Sequence, residues 1–466
     1  MMDDKLARYL DAGGAAQFLG DLARQVGADE FAVVRNLGYV YSPFEIYPLA
    51  PRAALPLPRI VAFAADMDGT STTTEPLALH ALEYMVRRFT GLLTAQQWAG
   101  LDREHDYPFV IGNSNYRHAE FLLNRYRQRL NREAFCSAFF EAVIWTLASM
   151  TDAQRRRDVQ QNAANCGLTE MLADPEFLSA VSGGPIEPGR AAQLARPLIA
   201  RFGRAFRFDD GSATVAAIVD IYYMRYHWIM QLIEQGQGER LSLELLGRPG
   251  QRLIEPMAGY DVFVPLIKGW LGGEAGNLYE LLRSNSGLSD DSGKDIGPDG
   301  LRRLGRHFAR QPAKLALVTA SIAFEAHTTM KEVCRVMALR VAHWPIAQAL
   351  KDRVADRLAD YRTVFDAFVN ASDACEHRLK PHRDLYSLAL AQMAVPREDY
   401  GFCVGLEDTE PGIISLRAAG IGCAVAVPNH DTSRQDYQAA TVLIRHGLPE
   451  VILSHNCFLA MPEVPR

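Results

Sequence analysis

Two aspartates, Asp66 and Asp68, end an apolar run in the stretch FAADMDGTSTTTEP, and Gly69 follows them. Along an extended segment alternate side chains share a side, so both carboxylates can face one pocket while Met67 turns into the core. Gly69 then lets the backbone turn sharply. Glu407 and Asp408 end a second apolar run, YGFCVGLED; Thr319 and Ser321 end a third, KLALVTAS; and Lys380, in RLKPHRDLY, stands just before a helix. Gathering Asp66, Asp68, Glu407 and Asp408 in one place is unfavourable, since a single like-charge pair at about 4 Å costs roughly 4 kcal/mol at an effective dielectric near 20. A cation has to accompany them. Hard carboxylate oxygens suit a divalent ion, and magnesium, which bridges carboxylates and substrate phosphate, suits them best. No His or Cys cluster competes for a softer metal.

These groups share a position because of the elements that carry them. RIVAFAAD reads as a fully buried strand, and after about residue 311 strands alternate with helices: KLALVTA, YGFCVGLED, GCAVAVPN and ATVLI. Alternation of this kind predicts a parallel sheet with helices on both faces, in which ligands sit at the carboxyl ends of the strands. Residues 76–310 carry apolar positions at helical spacing, as in EFLLNRYRQRL and SAFFEAVIWTLASM, and few strand signals. RSNSGLSDDSGKDIGPDG, from Arg283, reads as a mobile loop or hinge. The first 58 residues begin with helices around 5–11 and 15–26 and end in a tract whose prolines at 43, 48, 51, 56 and 58 prevent regular helix. Three parts are therefore expected: an N-terminal extension and Pro-rich linker over 1–58, a catalytic core over 59–75 and 311–466, and a helical cap over 76–310.

A length of 466 residues exceeds what one core usually supports, and 48% hydrophobic with 22% charged residues is the composition of an ordinary globular protein. A net charge of -6 gives no long-range pull toward nucleic acid or anionic membrane, so a bound phosphate must be captured by a local site. The acidic start lacks the apolar segment of a secretory signal, and the most apolar stretches are interrupted by Glu141, Asp220 and Arg225. Seven cysteines without a C-x-x-C pair fit a reducing compartment. The expectation is a cytoplasmic protein with no membrane or nucleic-acid partner; its oligomeric state is left open.

In order, the motifs DMDGT with a following TEP, LALVTAS, LKPHRDLY and GLEDTEPGIISLRAAG resemble those of the haloacid dehalogenase (HAD) superfamily, in its beta-phosphoglucomutase and phosphoglycolate phosphatase branch. The resemblance covers about 59–76 and 312–455. It implies an α/β fold: a Rossmann-like core whose parallel sheet is flanked by helices, with a large, mainly α-helical cap inserted after the first motif. It also implies that Asp66 is the nucleophile forming an aspartyl-phosphate, and that Asp68 serves as acid and base. Thr319 and the backbone N–H groups near Met67 and Ala320 would hold phosphoryl oxygens, and Lys380 would balance charge between nucleophile and phosphate. Magnesium would be bound by Asp66, Asp408 and the Asp68 carbonyl, with Glu407 acting through water.

In the cap, VIGNSNYRHAEF starts a helix, and Asn113, Asn115, Arg117 and His118 within it could close over a substrate. The run IYYMRYHWIM reads as a packed core helix, with Arg225 and His227 as satisfied partners, and Glu75 as structural. The expected function is magnesium-dependent hydrolysis of a small phosphorylated metabolite. Two alternatives stand beside it: a phosphomutase of the beta-phosphoglucomutase type, and a non-catalytic phosphate-sensing or scaffolding protein.

Overall fold

The structure, a computed structural model, describes residues 11–36, 41–110, 115–208, 211–284, 295–373, 378–430, 432–454 and 459. Its centre is a six-stranded sheet built from β3 (Ala62–Asp66), β6 (Lys314–Val318), β7 (Ala367–Val369), β8 (Cys403–Glu407), β9 (Cys423–Ala426) and β10 (Val442–Leu443). Their spatial order is β10-β9-β8-β3-β6-β7, and every pairing is parallel. β3 lies between β6 and β8, which the chain reaches in opposite directions from it, so a crevice opens at the carboxyl ends of these strands.

Both faces of the sheet are covered, which is why its strands are almost purely apolar. Phe63, Ala65, Leu315, Leu317, Val404 and Leu406 point into one core cluster; Ala62, Ala64, Ala316, Val318 and Cys403 alternate with them into the other. On the first face Phe63 meets Phe263 edge-on, with ring centroids 5.2 Å apart, and Phe308 packs beside them. Those two rings belong to helices Tyr260–Ile267 and Gly297–Arg310, so the C-terminal part of the 76–310 interval packs on the sheet. Helices Asp384–Gln392 and Glu410–Ala418 cover the second face, through Leu385, Ala389, Ile413 and Leu416.

Among the described residues, every element between Glu75 and Leu246 is a helix. Helix Arg132–Ser149 is buried on nearly every side, as its apolar circumference requires, and packs against helices Glu75–Thr90 and Ser212–Leu232. Asn131 caps its start by accepting from the Ala134 N–H at 3.0 Å. The chain leaves and re-enters this bundle through adjacent short strands, β4 (Thr72–Thr73) and β5 (Glu255–Pro256), which pair antiparallel.

The N-terminal tract differs from its reading as linker. β1 (Phe31–Arg35) and β2 (Phe44–Pro48) form an antiparallel hairpin in register Phe31↔Pro48. Ala32, Val34 and Tyr47 bury one face against Ala418. Helix Ala12–Val26 forms where helical spacing predicts one; the helix expected around 5–11 falls outside the described residues apart from its last position, as do residues 285–294 of the expected hinge. No helix among the described residues is long and apolar enough to cross a membrane.

Candidate active site

Strand register brings the distant motifs together. Asp66 pairs with Val318 of β6, and Ala65 with Leu406 of β8, so Thr319 and Glu407 are the next residues on either side of the nucleophile candidate. One oxygen each from Asp66, Glu407 and Asp408 lies within 4.8 Å of the others, and all three residues are buried. Lys380 Nζ donates to Asp66 Oδ1 and stands 2.6 Å from Glu407 Oε1. Three carboxylates against one ammonium leave an uncompensated charge of about two negative units, which a single divalent cation would balance. Magnesium fits on this ground and on the all-oxygen donor set.

The electrostatics follow from burial. Burial pushes the Asp66 carboxyl well above the usual carboxylate range, with Lys380 opposing and Glu407 and Asp408 adding to the rise. Burial and then Glu407 push Asp408 up to about 8. Burial alone would pull the Lys380 ammonium down, but Asp66 and Glu407 raise it above its ordinary value. The ion is thus the component that would let Asp66 and Asp408 remain ionised.

Glu407 and Asp408 are each held by further hydroxyl or amide partners. Glu407 Oε1 accepts from Tyr386 Oη at 2.6 Å, and Oε2 from Thr409 Oγ1 at 3.1 Å. Asp408 accepts from Thr70 Oγ1 at 3.2 Å and from Asn429 Nδ2 at 3.1 Å. Gly69 has φ 86°, and a Cβ there would run into Asp408 Oδ2 and approach Asn429 Nδ2 to 2.8 Å. Glycine is therefore demanded by both the turn and the close approach.

Asp68 lies outside the carboxylate triad. Its side chain accepts from Thr74 Oγ1 at 2.9 Å and Ser321 Oγ at 3.2 Å, and burial holds its pKa above the ordinary value. Thr319 is buried, its Oγ1 accepting from the Ser321 N–H at 3.0 Å, while Ala320 is exposed beside it. Of the cap candidates, Asn113 lies outside the described residues; Arg117 stands exposed on helix Asn115–Tyr126, whose inner face carries His118, Ala119, Leu122 and Leu123.

Reading strand ends for paired carboxylates passed over Thr70, Thr74, Tyr386 and Asn429. Asn429 had a usable signal, because it follows the apolar run GCAVAVPN at another strand end. Thr70 and Tyr386 stand inside the motifs DMDGT and LKPHRDLY, whereas Thr74 had no signal beyond its place in a hydroxyl-rich tract.

No family model matches the chain, and no curated protein matches it. Solved structures do. The crystal structure of CbbY from Rhodobacter sphaeroides in complex with phosphate is 16% identical, with 84% of this chain and 96% of that chain covered and a TM-score of 0.37. A HAD hydrolase of family IA from Entamoeba histolytica is 12% identical over 83% of this chain and 93% of that chain, at a TM-score of 0.32. A beta-phosphoglucomutase from Clostridium difficile is 12% identical over 83% and 91%, at 0.29.

Proposed function

We propose that the chain is a magnesium-dependent phosphohydrolase that cleaves a small phosphomonoester through an aspartyl-phosphate on Asp66. The observation that carries this reading is the convergence of Asp66, Lys380, Glu407 and Asp408, from three separate parts of the sequence, into one buried cluster.

In the first half, an Asp66 oxygen attacks phosphorus while Asp68 gives its proton to the departing alcohol oxygen. The raised pKa of Asp68 and its fixed position between Thr74 and Ser321 suit a carboxyl that must hold a proton until then. In the second half, Asp68 takes a proton from water, whose oxygen attacks the aspartyl-phosphate, releasing inorganic phosphate and restoring Asp66. Lys380 keeps Asp66 oriented and offsets charge on the phosphoryl group. Thr319 and backbone N–H groups near Met67 and Ala320 supply donors to the phosphoryl oxygens. The Asp66 and Asp408 carboxylates and the Asp68 carbonyl would hold magnesium, which supplies positive charge beside the transferring group. Glu407, engaged by Lys380 and Tyr386, would reach it through water.

The helices between Glu75 and Leu246 would act as the cap, hinged at the paired strands β4 and β5, with closure excluding bulk water. Turnover of p-nitrophenyl phosphate tests the reading. Asp66→Asn and chelation of magnesium should each reduce phosphate release by several orders of magnitude; undiminished release in either case overturns it.

A further inference from the structure

Where the chain crosses between sheet and helical bundle, the described residues line an open cavity of about 520 Å³, the size of a small-ligand site. Thr73 of β4 and Glu255 of β5 form part of its wall, followed by Met257 and Asp261. The rest comes from the core side: Arg340 stands in the last turn of helix Ala323–Val341, and the exposed His343 comes just after it.

Two carboxylates and one guanidinium line this space, and the guanidinium is already committed. Arg340 Nη2 donates to Glu255 Oε2 at 2.6 Å. Asp261 makes no ion pair among the described residues; the hydrogen bonds that reach its carboxylate come from its own N–H and that of Val262, in the first turn of helix Tyr260–Ile267. The residue is only 7% exposed, so solvent does little for that charge. Burial raises its pKa, and the Arg340 charge opposes the rise. The lining is therefore one positive charge short. A bare metal ion suits it poorly, because Glu255 is already paired and the space holds far more than an ion. Met257 and Leu281 add apolar surface on which a short carbon chain could lie.

The cavity is also tied to the nucleophile. The Met257 N–H donates to the Ser71 carbonyl at 3.0 Å, and Ser71 Oγ donates to the Asp66 carbonyl at 2.6 Å. A molecule touching both the hinge strands and the end of helix Ala323–Val341 would fix their spacing and so bias the hinge.

Resting on the phosphohydrolase reading and its hinge, we propose that this cavity is a regulatory site for a small organic cation, an amine or guanidine on a short carbon chain. The cationic group pairs with Asp261, and occupancy changes how readily the cap closes over substrate.

Calorimetry of the full chain in saturating magnesium, with the Asp66 cluster thereby supplied with its ion, tests the site. The probe is 1,4-diaminobutane, and 1,4-butanediol is its uncharged match. The diamine should bind, and the diol should bind at least about tenfold more weakly, as the loss of a charge-assisted hydrogen bond requires. Asp261→Asn should weaken the diamine by about the same factor. His343→Lys, at an exposed position that makes no demand on the core, should weaken it several-fold by repulsion and decides the matter if Asp261→Asn does not fold. No binding of the diamine, equal binding of the diol, or an affinity indifferent to these substitutions overturns the site.

Turnover of p-nitrophenyl phosphate tests the regulation. Saturating diamine should change KM by about twofold or more in the wild type and leave it unchanged in Asp261→Asn. Diamine that binds while kcat and KM stay constant overturns the regulatory role. Absence of turnover with and without diamine defeats the phosphohydrolase reading instead, and the calorimetry alone then decides whether the cavity takes a cation.

Discussion

At the scale of single residues, the cluster depends on small neighbours as much as on charges. Gly412, in the first turn of helix Glu410–Ala418, lies so close to Glu407 that a Cβ there would be driven into its carboxylate. Glu407 cannot retreat without releasing Lys380 and Tyr386. Gly412→Ala should therefore cost about 1–3 kcal/mol of stability as an overpacking change. It should also raise the magnesium concentration needed for half-maximal turnover. Thermal unfolding and a magnesium titration check the two parts separately. The role of Gly412 was not legible from sequence, because its φ is ordinary and only the approach of the Glu407 side chain, from the end of β8, makes it necessary. Asp66, Glu407 and Asp408 were legible, because a carboxylate ending a fully apolar strand contradicts the local burial pattern unless something binds it.

At the scale of elements, the central sheet could be read from sequence because strands buried on both faces must be continuously apolar, as RIVAFAAD and FCVGL are. The hairpin β1–β2 escaped, since FAVVR is a five-residue, mainly apolar run whose alternation shows only in its burial, and its partner FEIYP lies in the proline-dotted tract. The cap helices were evident from their period, but not which faces they turn to one another. His118 shows what that orientation does. It lies on the inner face of helix Asn115–Tyr126 with Ala119, Leu122 and Leu123, and neither ring nitrogen has a partner among the described residues. Burial lowers its pKa to about 4. The native ring stays neutral, whereas the unfolded chain takes up a proton below about pH 6.5. Its contribution to stability is thus complete above about pH 6.5 and is lost as pH falls toward 4, by about 3 kcal/mol in total. His118→Leu should flatten this part of the acid limb in urea unfolding measured across the window, whereas identical profiles for both proteins would count against it.

At the scale of the whole molecule, the N-terminal hairpin joins the loop that carries Lys380. Tyr47 Oη donates to Glu45 Oε2 at 2.6 Å and lies 2.7 Å from His382 Nδ1, while Arg378 pairs with Glu45. The hairpin therefore holds the loop two residues before and two residues after Lys380. A second attachment is the fully buried Arg417, which donates to the Ala50 carbonyl and pairs with Glu30 at 2.7 Å. Deleting residues 1–58 would remove both of these partners and leave Arg417 donating to the Ala439 carbonyl, so stability should fall. A gentler change separates anchoring from folding. Tyr47→Phe removes one hydroxyl and should cost about 1–2 kcal/mol. If the hairpin fixes the lysine, kcat should fall several-fold with KM nearly constant, because Lys380 touches the nucleophile rather than the alcohol portion of the substrate. A loss of stability with unaltered kcat would instead make the hairpin a brace for the second face of the sheet, with no part in setting the ammonium against Asp66.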